Sequence, residues 1–253
     1  MNTTALSTAS KLPAITLLFW VMKICATTLG ETAGDLLSMT FDIGYAVSSL
    51  ILISAFVMTL TIQLLSKSYH PLLYWTVILS TSTAGTTMSD YMDRTLGLGY
   101  MRGSLLLMAM LSGILLIWKK STGSLSIQNV KTPKDEMFYW MAILFSNTLG
   151  TALGDFLADD SGLGFGGGAL VIGSIIAVIT LAYFYTKISP IFLFWAAFVL
   201  TRPLGATLGD LMTKTHEKGG LDFGTIGSSA ILLTLLIGLI ALTMKRSTKI
   251  PAD

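Results

Sequence analysis

Long apolar runs alternate along this chain with short polar turns. A helix rising about 1.5 Å per residue needs roughly 20 apolar residues to cross a bilayer core about 30 Å thick. Eight runs are long enough, near 14–37, 44–65, 71–92, 98–118, 136–158, 164–186, 190–212 and 224–245. A strand barrel would instead show alternating segments of about ten residues, and the sequence has none. The pattern predicts an all-α integral membrane protein with eight transmembrane helices in one membrane domain.

A second, slower period runs through the same segments. Trp20, Trp75, Trp140 and Trp195 are each followed ten residues later by a glycine and fifteen residues later by an aspartate: Asp35, Asp90, Asp155 and Asp210. The chain is therefore read as four tandem two-helix repeats, 14–65, 71–118, 136–186 and 190–245, with a linker at 119–135 between halves. Between tryptophan and aspartate, each first helix carries residues at plus seven and plus eleven. These are Thr27 and Glu31, Ser82 and Thr86, Asn147 and Thr151, and Arg202 and Ala206. Steps of four keep each set on one helix stripe.

Small residues at plus ten and plus fourteen (Gly30 and Gly34, Gly85 and Ser89, Gly150 and Gly154, Gly205 and Gly209) form small-xxx-small pairs. Such pairs let helices approach closely in lipid, and their recurrence predicts that the four odd helices meet one another. The second helices follow turns reading Asp42-Ile43-Gly44, Gly97-Leu98-Gly99, Gly162-Leu163-Gly164 and Asp222-Phe223-Gly224. The expected architecture is a pseudo-symmetric bundle with the odd helices inside. The four units point the same way, unlike the inverted repeats of many transporters. Tryptophans near the start of each odd helix suggest an interfacial aromatic belt.

Composition and charge sharpen this picture. With 53% hydrophobic and only 12% charged residues, the chain falls in the membrane class. The opening MNTTALSTAS lacks a basic region and an apolar core, so the first apolar run is expected to insert and remain. Lys11, Lys67, Lys119, Lys120, Lys131, Lys134, Lys187, Lys245, Arg246 and Lys249 fall on one side, whereas Arg94, Arg102, Lys214 and Lys218 fall on the other. That bias predicts both termini in the cytoplasm of a bacterial inner membrane. Basic loops flanking spans face lipid headgroups and carry no groove-reading pattern, which argues against nucleic acid as a partner. A lone Cys25 excludes an internal disulfide, and His70 and His216 lack ligand-spaced companions.

The aspartates carry the candidate chemistry. Fifteen residues of helix rise about 22 Å, which leaves each carboxylate within the membrane thickness if the tryptophan marks the opposite interface. There an acid needs a proton, a partner or a cargo. Asp35, Asp90, Asp155 and Asp210 are candidate metal ligands, with Thr27, Ser82, Thr86, Asn147 and Thr151 supplying further oxygens from the same stripes. Glu31, the one acid at its level, is the candidate proton carrier. Lys23 and Arg202 are candidate internal charge partners, Lys23 with the option of snorkelling to the interface. The alternative structural reading has each Gly-Asp close its helix and cap the turn.

With its four spaced tryptophans and two apolar segments per unit, the chain resembles a family of bacterial membrane proteins built from four tandem repeats. Each repeat in that family has two transmembrane segments and a characteristic tryptophan. The resemblance covers essentially the whole chain and implies fold and topology; the family's function is not established. The string Glu31-Thr32-Ala33-Gly34-Asp35 also looks loosely like the Glu-x-Gly-Asp signature of a cation-exchanger family handling manganese and calcium, one residue longer and present in repeat one alone.

The leading expectation is a secondary transporter or exporter of a small cation, with a divalent metal moved against protons. A cationic organic solute is the alternative cargo, and a structural scaffold the non-transport alternative. No nucleophile–base pair, histidine within a span or phosphate loop supports an enzyme, and no cofactor is expected. The partners expected are the bilayer and a small cation or proton, with a homodimer left open.

Overall fold

The computed structural model describes residues 11–130 and 132–247. The MNTTALSTAS opening, Lys131 and Lys249 lie outside the described residues, as does the side chain of Arg246. Eight α-helices follow one another: α1 (Leu17–Asp35), α2 (Tyr45–Leu65), α3 (Pro71–Asp90), α4 (Tyr100–Thr122), α5 (Pro133–Asp155), α6 (Gly164–Tyr185), α7 (Pro190–Thr213) and α8 (Thr225–Ser247). Pro71, Pro133 and Pro190 open α3, α5 and α7 at the first turn, where a missing N–H leaves no bond unmade. Thr132 caps α5 by accepting the Asp135 N–H at 3.1 Å. The turn before each even helix takes positive φ at its first and third residues, Asp42 and Gly44, Gly97 and Gly99, Gly162 and Gly164, and Asp222 and Gly224. Glycine and aspartate tolerate that conformation best, which is why these residue types recur there.

The odd helices form a closed inner ring, α1 against α3, α3 against α5, α5 against α7, and α7 back against α1. Each even helix lies against the odd helix of the next unit: α2 on α3, α4 on α5, α6 on α7, and α8 on α1. No unit is therefore a self-contained hairpin, and the last helix closes the ring on the first. The small residues at plus ten receive the plus-seven residue of the following unit. A Cβ on Gly30 would strike Ser82, one on Gly150 would strike Arg202, and one on Gly205 would strike Thr27. At Gly85 it would lie 2.9 Å from the Thr148 backbone nitrogen. The outer faces of the even helices are apolar and exposed, as at Leu50, Leu105, Leu170 and Ile231.

Among the described residues, six helices are long and apolar enough to cross a membrane: α2, α4, α6, α7, α8, and α5 with the turn that follows it. The eight apolar runs expected from the sequence do become eight helices, but α1 and α3 do not reach that apolarity. Both are lined with polar residues that the ring encloses, among them Lys23, Thr28, Glu31 and Thr32 on α1 and Thr81, Ser82, Thr86 and Thr87 on α3. Their composition reports an interior lining rather than an outward face.

One alternative and one expectation are corrected. The aspartates do not cap a turn out of the helix: Asp35, Asp90 and Asp155 are the last residues of α1, α3 and α5, yet they keep right-handed helical backbone and lead into π-helical turns at Leu36–Thr40, Tyr91–Thr95 and Phe156–Asp160. Asp210 lies inside α7. None of the three that precede a π turn makes a side-chain cap bond. Nor do the tryptophans form an outward belt, because Trp75, Trp140 and Trp195 are buried and Trp20 is half-buried. In the linker, three described residues pack against the bundle. Leu125 and Ile127 rest on the core, Val130 is buried, and the Leu125 carbonyl accepts from Trp195 Nε1 at 3.0 Å.

Candidate functional site

The stripe residues stack in layers inside the odd-helix ring, all of them buried. At the bottom, each tryptophan is preceded by another aromatic: Phe19, Tyr74, Tyr139 and Phe194. Each of these packs on its own tryptophan and on that of the next unit. Ring centroids lie 5.7 Å apart for Phe19–Trp75, 5.5 Å for Tyr74–Trp140, 6.3 Å for Tyr139–Trp195 and 5.8 Å for Phe194–Trp20. Eight aromatic side chains thus close a ring around this end, and a 2.7 Å bond joins the Tyr74 and Tyr139 hydroxyls.

One turn higher, Lys23 lies fully buried 4.2 Å from the Phe198 ring centroid, with its ammonium 3.5 Å from Asn147 Oδ1. It does not snorkel. Asn147 in turn donates to Thr81 at 2.8 Å. Thr27 Oγ1 lies within hydrogen-bond distance of the Lys23 and Ile24 carbonyls of its own helix and of the Thr201 carbonyl of α7, which share its one proton. Among the described residues the Ser82 hydroxyl has no hydrogen-bond partner.

Arg202 occupies the centre. Its Nη1 and Nη2 both donate to Glu31 Oε2 at 2.9 Å, and Nη2 reaches Thr86 and Thr151 Oγ1 at 2.6 Å each. One guanidinium from repeat four therefore ties together the plus-eleven residues of the other three repeats. Such bidentate, charge-assisted pairing suits arginine in particular.

Above this layer the four aspartates separate into two pairs. Arg94 joins Asp90 at 3.0 Å to Asp155 at 3.3 Å, and Lys214 joins Asp35 at 2.5 Å to Asp210 at 3.1 Å. The four aspartates named as candidate ligands are thus divided between a cation from repeat two and one from repeat four. Glu31, Asp35 and Asp210 each place a carboxylate oxygen within 4.8 Å of the others'. This buried acidic cluster can coordinate a cation. Asp90 and Asp155 lie on the other side, with Arg94 between them. Burial works against the Lys214 charge, yet Asp210 and Asp35 hold its ammonium above the ordinary lysine range. A cavity of about 360 Å³ at the aspartate end is lined by Met39, Arg94, Asp159, Phe165, Asp210, Lys214 and Lys218, and so touches this cluster at Asp210.

The sequence reading missed Arg94 and Lys214, which were counted as loop cations, and the four aromatics beside the tryptophans. Both signals were legible. Arg94 and Lys214 stand four residues after Asp90 and Asp210, one helical turn away, and an aromatic precedes each of the four repeat tryptophans.

A ring-closed, all-α bundle of four two-helix units with a buried acidic cluster at one end is the class defined so far. The Repeat of Unknown Function (DUF347) matches the chain four times, over residues 18–69, 73–124, 138–189 and 193–248, each match containing one of the four spaced tryptophans. The chain belongs to that family. No curated protein and no solved structure matches it.

Proposed function

We propose that the protein is a secondary transporter or exporter of a small cation in a bacterial inner membrane, with a divalent metal moved against protons. The observation that carries the reading is the convergence of Glu31, Asp35 and Asp210 beside a cavity open toward the aspartate end. Hard carboxylate oxygens suit magnesium, calcium or manganese rather than softer metals. The charge balance points the same way. Glu31, Asp35, Asp90, Asp155 and Asp210 are met by Arg94, Arg202 and Lys214 in direct ion pairs, and the surplus of carboxylates is left for protons or a cargo cation to balance. In this reading all eight helices span, both termini are cytoplasmic, and the aromatic ring closes the cytoplasmic end of the path. The protein performs no covalent chemistry and needs no cofactor.

A cationic organic solute is the second reading. It is favoured by one observation, the ammonium of Lys214 seated between Asp35 and Asp210.

The test is thermal stability of the purified protein across divalent metals, monovalent cations and alkylamines, in the wild type, Asp35→Asn and Asp210→Asn. A ligand at a hundred times its dissociation constant adds about 2.7 kcal/mol. The expected result is stabilisation by a divalent metal that either substitution abolishes, followed by uptake of that metal into proteoliposomes. Stabilisation by amines alone selects the second reading. No shift with any cation, with both variants simply less stable, leaves the aspartates as structural ties and refutes transport through them.

A further inference from the structure

The two cations that separate the aspartate pairs occupy equivalent positions in repeats two and four, yet they are held differently. Arg94 is clamped from several directions. Its Nη1 donates to the Tyr45 hydroxyl at 3.2 Å, its guanidinium lies 5.9 Å from the Tyr45 ring centroid and 5.7 Å from that of Tyr100, and it spans Asp90 and Asp155. A planar fork between two rings and two carboxylates is held from several directions, although its side chain is 31% exposed against 16% for Lys214. Lys214 has no such frame. Among the described residues, its ammonium meets Asp35, Asp210 and, at 3.9 Å, the Met39 sulfur.

Its backbone, by contrast, is anchored. Lys214 is the first residue past α7, with extended dihedrals. Its carbonyl accepts from the Asp222 N–H at 3.0 Å, and a Cβ on Gly220 would collide with that same carbonyl. Where the first three repeats continue into a π-helical turn, repeat four has instead this longer loop, Lys214 to Gly224. The loop therefore presents one flexible, four-carbon cationic arm from a fixed base. The arm lines the cavity and seats its ammonium on Asp35 and Asp210, two of the three carboxylates that a cation at the cluster would need.

We propose that Lys214 is a displaceable counter-ion: it occupies the Glu31, Asp35 and Asp210 site when that site is free of cargo and swings into the cavity when a cation binds. The inference rests on the cation-site reading above and assigns the regulation of that site. Arg94 stays in place, so one side of the pseudo-symmetric core exchanges ions and the other is a fixed strut. Lys214 thereby sets a threshold that an incoming cation must exceed, favouring a divalent ion over a monovalent one.

The test is Mn²⁺ affinity, measured by electron paramagnetic resonance on the purified full chain in detergent, for wild type, Lys214→Met, Lys214→Arg and Lys218→Met. If the arm-out state makes up a tenth or less of the molecules, removing the arm tightens binding at least about tenfold, since apparent affinity scales with the competent fraction. Lys214→Met is expected to show that gain. Lys214→Arg, which keeps the charge and the fold, should bind no more tightly than wild type. Lys218→Met removes the same charge from the cavity wall without touching the carboxylates, and should change affinity far less than Lys214→Met. Wild type that binds Mn²⁺ while Lys214→Met binds it equally or more weakly overturns the proposal and leaves the cation reading standing. So does Lys214→Arg gaining as much as Lys214→Met. Binding by neither wild type nor any variant overturns both.

Discussion

Replacing Glu31 by glutamine should be among the most destabilising single changes of charge in this protein. Arg202 is fully buried and Glu31 nearly so, and two 2.9 Å bonds converge on one carboxylate oxygen. Two unit charges about 4 Å apart attract by about 4 kcal/mol at an effective dielectric of about 20. Removing one member of a buried pair costs about 3–5 kcal/mol, because the other charge is left uncompensated. Glutamine keeps an acceptor for Arg202, so Glu31→Gln isolates the charge. Arg202→Met should cost a similar amount by stranding Glu31. The double variant removes both charges and should lose no more than the worse single, since each single already carries the penalty of an unpaired ion. The assay is reversible denaturation in mixed micelles, followed by fluorescence of the buried tryptophans. A Glu31→Gln loss below about 1 kcal/mol would refute the account, given the expected range. Strict additivity of the two singles would refute it as well, because it would mean the groups do not interact.

Three other outcomes are expected. Gly85→Ala should destabilise by about 1–3 kcal/mol, because its Cβ would meet the Thr148 backbone at 2.9 Å and backbone cannot rotate away. Gly113→Ala on α4 meets nothing within 4 Å and should stabilise by about 0.5–1 kcal/mol, the ordinary gain of alanine over glycine in a helix; the same unfolding assay ranks the pair. Trp140→Ala, at a fully buried member of the aromatic ring, should cost about 3–5 kcal/mol, and Trp20→Ala, half-buried, distinctly less. In vesicles containing brominated lipid, a variant retaining Trp140 as its one tryptophan should resist quenching, whereas a lipid-facing belt would be quenched.

Much of this fold could be read from the chain because its signals are local and repeated four times. Paired positive-φ residues before each even helix and small residues at plus ten and plus fourteen depend on neighbours a few positions away, and both lie where the spacing put them. The level of the tryptophans along their helices is equally legible in the chain, but that level does not give the direction they face. A tryptophan at the start of a spanning helix sits at the same level whether it faces lipid or the interior. The deciding signal was angular: seven and eleven residues are close to two and three whole turns, so each tryptophan shares the stripe of its polar partners. What the chain could not disclose is which aspartates become neighbours. That depends on the order of helices around the ring and on two side chains, Arg94 and Lys214, that reach across from one unit to the next.

The backbone and the chemistry of this bundle obey different symmetries. Packing repeats four times: every odd helix receives the next one's side chains against a small residue, and every tryptophan receives the neighbouring unit's aromatic. Charge does not repeat so evenly. The cations joining aspartates recur twice, in repeats two and four, while Glu31, Lys23 and Arg202 each occur once. Four parallel helices direct the negative ends of their dipoles toward the aspartate layer, where anions are disfavoured. A layer of four unaided aspartates would therefore be costly, and the two bridging cations offset that cost in a scaffold that would otherwise repel itself. A purely structural role would be met by the same solution on both sides. The two sides differ, with a fork between two tyrosines on one and a lysine paired to Asp35 and Asp210 beside an extra glutamate on the other, and that asymmetry in a core whose packing treats all four quarters alike is what the proposed exchangeable site rests on.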